Sequence, residues 1–187
     1  MHLSELLEKY KIKANITMLL DMWNEPHRHY HNATHLVDIH NQILNDYLQN
    51  KINEKTTEKL LLTNLFHDII YDVSKNDNEQ KSAEFFMSLC VEKNNIHIQD
   101  IKQAILDTKS HSGDNYLSNI FNKYDMSIVE SNYDRLLEWE NGIYEEYKIY
   151  GDKYKQGRLQ FLESIVDKYP LNSGNLTKLI EYVKNNY

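Results

Sequence analysis

The chain has 187 residues, with 21 Lys and Arg against 28 Asp and Glu for a formal net charge of −7, and is 41% hydrophobic, 26% charged and 11% aromatic. This composition excludes a disordered or low-complexity chain, and one domain of this length buries roughly 70% of its unfolded surface. The net negative charge argues against a dedicated nucleic-acid binder, and the single cysteine, Cys90, excludes an intramolecular disulfide, leaving His, Asp and Glu to hold any metal.

Two prolines and five glycines are too few for the turns of an all-β or α/β fold, so the expectation is all-α, a single-domain helical bundle over residues 1–187. Leu3, Leu6, Leu7, Ile12, Ile16, Leu19, Leu20 and Trp23 mark an amphipathic stripe over 3–23, with an interruption near 11–13, and Pro26 stops it. Asn32 or Thr34 caps a second helix ending near Asn50, with Leu36, Ile39 and Ile43 on its inner face. Residues 54–71 form a third whose apolar set, Leu60 to Ile70, wraps so widely that it should be the most buried element, with His67 and Asp68 in its middle. Further helices are expected over 77–93 and 98–108, a loop with a short turn over 110–123, and helices over 130–139, 141–169 with breaks at Gly151 and Gly157, and 175–186. The N-terminal residues lack the pattern of a signal peptide, and no apolar run approaches the roughly 20 residues of a membrane span, so a soluble cytoplasmic protein with no membrane partner is expected.

Six of the nine histidines fall in the first forty residues: His2, His27, His29, His31, His35 and His40. Asp68 stands in an apolar helical stretch, where an unpaired carboxylate would cost several kcal/mol, so a cation, a metal or several hydrogen bonds must meet it. A buried His-Asp pair satisfied by its neighbours is the plain alternative. If Asn32 to Thr34 caps the second helix, His35 is helical and inward while His31 sits at the entrance. Asp125 precedes a short apolar run, where it also reads as an N-cap. Phosphate would need fixed positive charge, and only three arginines exist, Arg28, Arg135 and Arg158. Arg28 lies three residues before His31, Arg158 follows Gly157, and Lys109 and His111 share one loop, so Arg28, Lys109, His111 and Arg158 are the substrate-binding candidates, with solvated surface charge as the alternative for each.

The order His35, His67-Asp68, Asp125 resembles the HD superfamily of metal-dependent phosphohydrolases. Tyr30-His31-Asn32-x-x-His35 is also similar to a segment of the cyclic-nucleotide phosphodiesterases. Together with Phe66-His67-Asp68-x-x-Tyr71-Asp72, Asn76-Asp77-Asn78-Glu79-x-x-Ser82-Ala83, Thr108-Lys109-x-His111 and Asp125-Met126-Ser127-Ile128, these motifs resemble a small bacterial branch of predicted HD phosphohydrolases, over residues 20–165. The resemblance implies an HD-type bundle in which His35, His67, Asp68 and Asp125 hold one divalent metal, with Mn, Mg, Fe, Co, Ni and Zn all compatible. It gives His31 the protonation of the leaving oxygen and makes His31, Asp68 and Asp72 the catalytic candidates; a second metal would need Asp72 or His111. Where the phosphodiesterase motif continues with a second Asp-His pair, this chain has Tyr71-Asp72.

A divalent ion in that frame lowers the pKa of water from 15.7 toward roughly 7 and polarises a phosphoryl oxygen. The implied function is hydrolysis of a phosphate ester of a small molecule, most simply a nucleotide. Two alternatives stand beside it: an HD-fold iron oxygenase, which predicts more His or Asp ligands than follow Asp68, and a non-catalytic sensor of metal and nucleotide. The tyrosines at 144, 147, 150 and 154 fit amphipathic packing, a base-stacking pocket or a subunit interface. Oligomeric state is left open, with a homodimer as one option.

Overall fold

The computed structural model describes residues 2–187 and is all-α, with one isolated bridge, Ile12 to Cys90, among the described residues. The helices are α1 (Leu3–Lys9), α2 (Ile16–Trp23), α3 (Ala33–Leu48), α4 (Glu54–Phe66), α5 (Asn78–Leu89), α6 (Ile96–Asp107), α7 (Tyr116–Asp125), α8 (Tyr133–Tyr147), α9 (Asp152–Val166) and α10 (Ser173–Asn186). No linker interrupts the sequence, yet the helices gather into two compact units, Met1–Asp125 and Met126–Tyr187. None of the described helices is long and apolar enough to cross a membrane.

In the first unit α4 is the hub. Leu60, Leu61, Leu62, Leu65 and Phe66 are closed to solvent, and α1, α3, α5, α6 and α7 all pack against this helix. A helix apolar on every side has to be surrounded, and each leucine so buried stabilises the fold by about 1.5–3 kcal/mol. The starts of the helices share one device: the side-chain oxygens of Asn15, Asn32, Asn53, Asn95 and Asn132 accept from the backbone N–H groups of Thr17, Thr34, Thr56, His97 and Arg135. Each cap is worth about 1 kcal/mol.

Several boundaries differ from the sequence expectation. The 3–23 stripe divides because Lys11 takes a positive φ and residues 11–13 pair with the end of α5, Lys13 N–H donating to Leu89 and Val91 N–H to Lys11. Where 110–123 was expected to be loop and turn, α7 begins at Tyr116, the Asn115 side chain accepting from Ser118 N–H. That makes Asp125 the last residue of a helix rather than the cap of the next one. The 130–139 and 141–169 segments are instead α8, which runs through position 140, and α9, which takes Gly157 into its interior; the break falls at Gly151, with φ +51°. The largest correction is that α4 stops at Phe66, so His67 and Asp68 leave the helix instead of lying within it.

The second unit holds α8 to α10 around Leu136, Leu162, Leu176, Leu179 and Val183. Glu140 is fully buried there, and it accepts from Arg158 Nε at 2.6 Å and from the Tyr154 hydroxyl. The Arg158 guanidinium also lies 4.1 Å from the centre of the Trp139 ring. Arg158, expected as a phosphate contact, is thus engaged by an interior carboxylate. Tyr144 and Tyr187 stack at 4.0 Å, and Tyr154 meets both edge-on, which is packing within the unit. Replacing Arg158 with Met strands Glu140 as a buried charge, and we expect a loss of about 3–5 kcal/mol in denaturant unfolding, with Arg158→Met/Glu140→Leu recovering most of it.

Candidate metal centre

Three helix ends converge in the first unit. Asn32 caps α3, which places His35 in its opening turn beside Leu36 and Ile39, all three buried. His67 follows the last residue of α4, Asp68 comes next, and Asp125 closes α7. His35 Nε2 lies 3.2 Å from Asp125 Oδ1, His67 Nε2 lies 3.2 Å from Asp68 Oδ2 and 3.6 Å from Asp125 Oδ1, and His111 Nε2 lies 3.4 Å from Asp125 Oδ2. One ligand atom each from His35, His67 and Asp68 falls within 4.8 Å of the other two.

The orientation of these rings fits a cation. His67 Nδ1 is 2.9 Å from the Asn64 carbonyl, which can only accept, so Nδ1 carries the proton and the Nε2 lone pair of the neutral ring faces inward. His35 Nε2 and His67 Nε2 are both buried and, despite the nearby carboxylates, neither is aligned with a hydrogen-bond partner. Buried polar atoms of this kind are rare in folded proteins. His35, His67 and Asp68 form the group close enough to share one ion, with Asp125 alongside through its contacts to both histidines, and such a mixed nitrogen and carboxylate set is compatible with a divalent metal of borderline or hard character. The rings are held from behind: His67 packs against Trp23 and Phe121, the Trp23 indole N–H donates to the Leu65 carbonyl, and the Asn64 amide donates to the Leu36 carbonyl, tying α4 to α3 next to His35.

With no ion between them, the carboxylates draw a proton onto His67. Burial by itself would lower the His67 pKa, but Asp68 and Asp125 outweigh it and push His67 up to about 10. Burial likewise opposes ionisation of both carboxylates; His67 holds Asp68 below the usual carboxylate range, and His111, His35 and His67 do the same for Asp125.

The remaining candidates separate. His31 is half-buried beside the centre, its ring 4.4 Å from Tyr71, 5.0 Å from Tyr30 and 5.9 Å from His35. His111 reaches the centre through an unusual backbone, φ +47°, in the loop before α7. Gly113 shapes that loop, since a Cβ there would fall 2.5 Å from Asp107 Oδ2 and 2.6 Å from Ser118 Cβ. Lys109, expected to meet phosphate, instead donates to the Asn76 carbonyl and lies 3.6 Å from Glu79, joining its loop to the one before α5. Asp72, expected among the catalytic groups, caps its own turn by accepting from Ser74 N–H at 2.9 Å. Arg28, expected to bind substrate, is buried and donates to the backbone carbonyls of His31, Asp68 and Ile69 and to the Glu25 carboxylate. The sequence reading missed Tyr30 and Tyr71 as ring partners of His31; their places in the quoted motifs were the available signal. No family model matches the chain, and no curated protein matches it either.

Because His67 carries its proton through neutral pH when no metal is bound, a divalent cation must displace that proton. The raised pKa stabilises the metal-free fold fully below about pH 6.5, and this contribution disappears as pH climbs toward 10. Metal affinity should run in the opposite direction, rising from pH 6 to 9 with release of about one proton per ion, read by calorimetry of Mn binding in buffers of different ionisation enthalpy.

Proposed function

We propose that this chain is an HD-type metal-dependent phosphohydrolase of the cytoplasm, cleaving a phosphate ester of a small molecule, most simply a nucleotide. The observation that carries the reading is the convergence of the buried Nε2 atoms of His35 and His67, neither in an aligned hydrogen bond, on the carboxylates of Asp68 and Asp125. A divalent cation held by these four residues would supply Lewis acidity, polarising a phosphoryl oxygen and bringing the pKa of water toward roughly 7.

The protein's own groups account for the rest. Hydrolysis forms one P–O bond from water and breaks the ester P–O bond, and the departing oxygen needs a proton. His31 is half-buried beside the centre, in ring contact with Tyr30 and Tyr71, where its imidazole can donate that proton as a general acid. Its ring packs on His35 on one side and Tyr71 on another, which restricts its rotamers and keeps it near the scissile bond. His111, beside the outer oxygen of Asp125, stands where it can contact a non-bridging phosphoryl oxygen.

In a panel of nucleotides and sugar phosphates with added Mn, wild type should release phosphate or a nucleoside product. His67→Ala/Asp68→Ala should lose bound metal and turnover together. His31→Ala should keep the metal and slow turnover by roughly 100-fold. Full activity in the double variant would refute the metal-site assignment, and loss of metal in His31→Ala would make His31 a ligand. Metal and nucleotide binding without turnover would favour a sensor.

A further inference from the structure

We propose that Arg28 is a positioning residue that fixes the distance between the general acid His31 and the metal-ligand loop at Asp68; this rests on the phosphohydrolase reading. Its side chain is closed to solvent. Nη1 donates both to the His31 carbonyl, at 3.1 Å, and to the Asp68 carbonyl, at 2.7 Å. Nη2 donates to the Ile69 carbonyl at 3.0 Å, and Nε to Glu25 Oε2 at 3.1 Å. Four of the five guanidinium N–H bonds are therefore engaged within the protein. One nitrogen atom bridges the segment that carries His31 and the segment that carries Asp68, and those segments are 37 residues apart.

The surroundings fix the guanidinium itself. It lies 5.5 Å from the centre of the Trp23 ring and 5.4 Å from that of Tyr71. Tyr71 in turn stacks on His31 at 4.4 Å, and Trp23 packs on His67 at 5.5 Å. The same cation thus touches the ring that orients the acid and the ring that backs a metal ligand. Lysine cannot reproduce this, because an ammonium lacks the planar fork that satisfies three carbonyls at fixed angles. A shift of about 1 Å in a catalytic group can slow a reaction about 100-fold, so an arginine outside the reacting atoms can control the rate.

The test combines a double-mutant cycle with a distance measurement. Arg28→Met, His31→Ala and the combined variant are assayed with Mn on bis(4-nitrophenyl) phosphate and on whichever substrate the panel identifies, and Mn affinity is measured for each. We expect Arg28→Met to lower kcat by roughly 30- to 100-fold, with KM and the Mn dissociation constant changed by less than about threefold, and the combined variant to be no slower than His31→Ala alone. In Mn-loaded protein with labelled histidine, paramagnetic broadening of the His31 ring should weaken in Arg28→Met. Arg28→Lys, which keeps the charge, should show the same changes at smaller amplitude, and it carries the test if Arg28→Met does not fold. Multiplicative losses in the combined variant, or unchanged broadening of His31 in either Arg28 variant, would overturn the proposal. Absence of turnover in wild type would overturn the phosphohydrolase reading instead, and the broadening measurement would then decide the role of Arg28 by itself.

Discussion

Two carboxylates, Asp68 and Asp125, are held together in a place almost closed to water, and the architecture of the first unit follows from the need for something positive between them. A buried pair of anions without a counter-charge is costly enough to unfold a domain of ordinary stability. Here His35 and His67 accompany them: a proton on His67 offsets one of the two negative charges, and a divalent ion held there would offset both. Both occupants compete for the same lone pair. The helix ends, the rings behind the histidines and the loop carrying His111 all serve to keep that arrangement intact in the presence of either.

Why the chain leaves the helix at Phe66 is answered by groups far away in sequence. Consecutive residues on a helix point about 100° apart, which sets adjacent His and Asp side chains on different faces. Beyond Phe66 the carbonyls of Asp68 and Ile69 receive hydrogen bonds from Arg28, and the Ser82 hydroxyl accepts from Ile70 N–H and donates to its carbonyl. Side chains therefore do for the Asp68, Ile69 and Ile70 carbonyls and the Ile70 N–H what the next helical turn would have done, while Asp68 turns toward His67. The end of the central helix is thus where Asp68 leaves its axis and turns toward His67.

The parts legible in the sequence are those with local causes. The Asn32 cap, the inward face of His35 and the burial of α4 all follow from residues within one or two turns, and the structure agrees with them. The end of α4 was not legible, because Ile69 and Ile70 continue its apolar pattern and the groups that stop it are 40 and 12 residues away. For α7, the Ser112 to Asn115 stretch reads as loop for several residues past its true end, since Ser118, Asn119 and Asn122 are polar while the buried Leu117 and Phe121 are sparse. The four metal candidates were found through their order along the chain, a property of family resemblance. The partners of the two arginines were not legible, for one reason. A buried guanidinium and an exposed one look the same in sequence, and only the fold reveals that Arg28 faces carbonyls and Arg158 faces Glu140.

The asparagine caps have a consequence for how the protein ages. Side-chain amides hydrolyse slowly to carboxylates, and at the starts of α2, α3, α4, α6 and α8 the product, aspartate, accepts the same backbone hydrogen bonds while placing a negative charge at the favourable end of the helix dipole. Where the product is aspartate rather than isoaspartate, such damage at the caps makes the molecule more acidic and keeps the cap hydrogen bonds. Asn64 is different: its amide donates to the Leu36 carbonyl in the interior, and a carboxylate has no hydrogen to give there. Chemical wear would therefore be tolerated around the rim of the fold and felt where α3 and α4 meet.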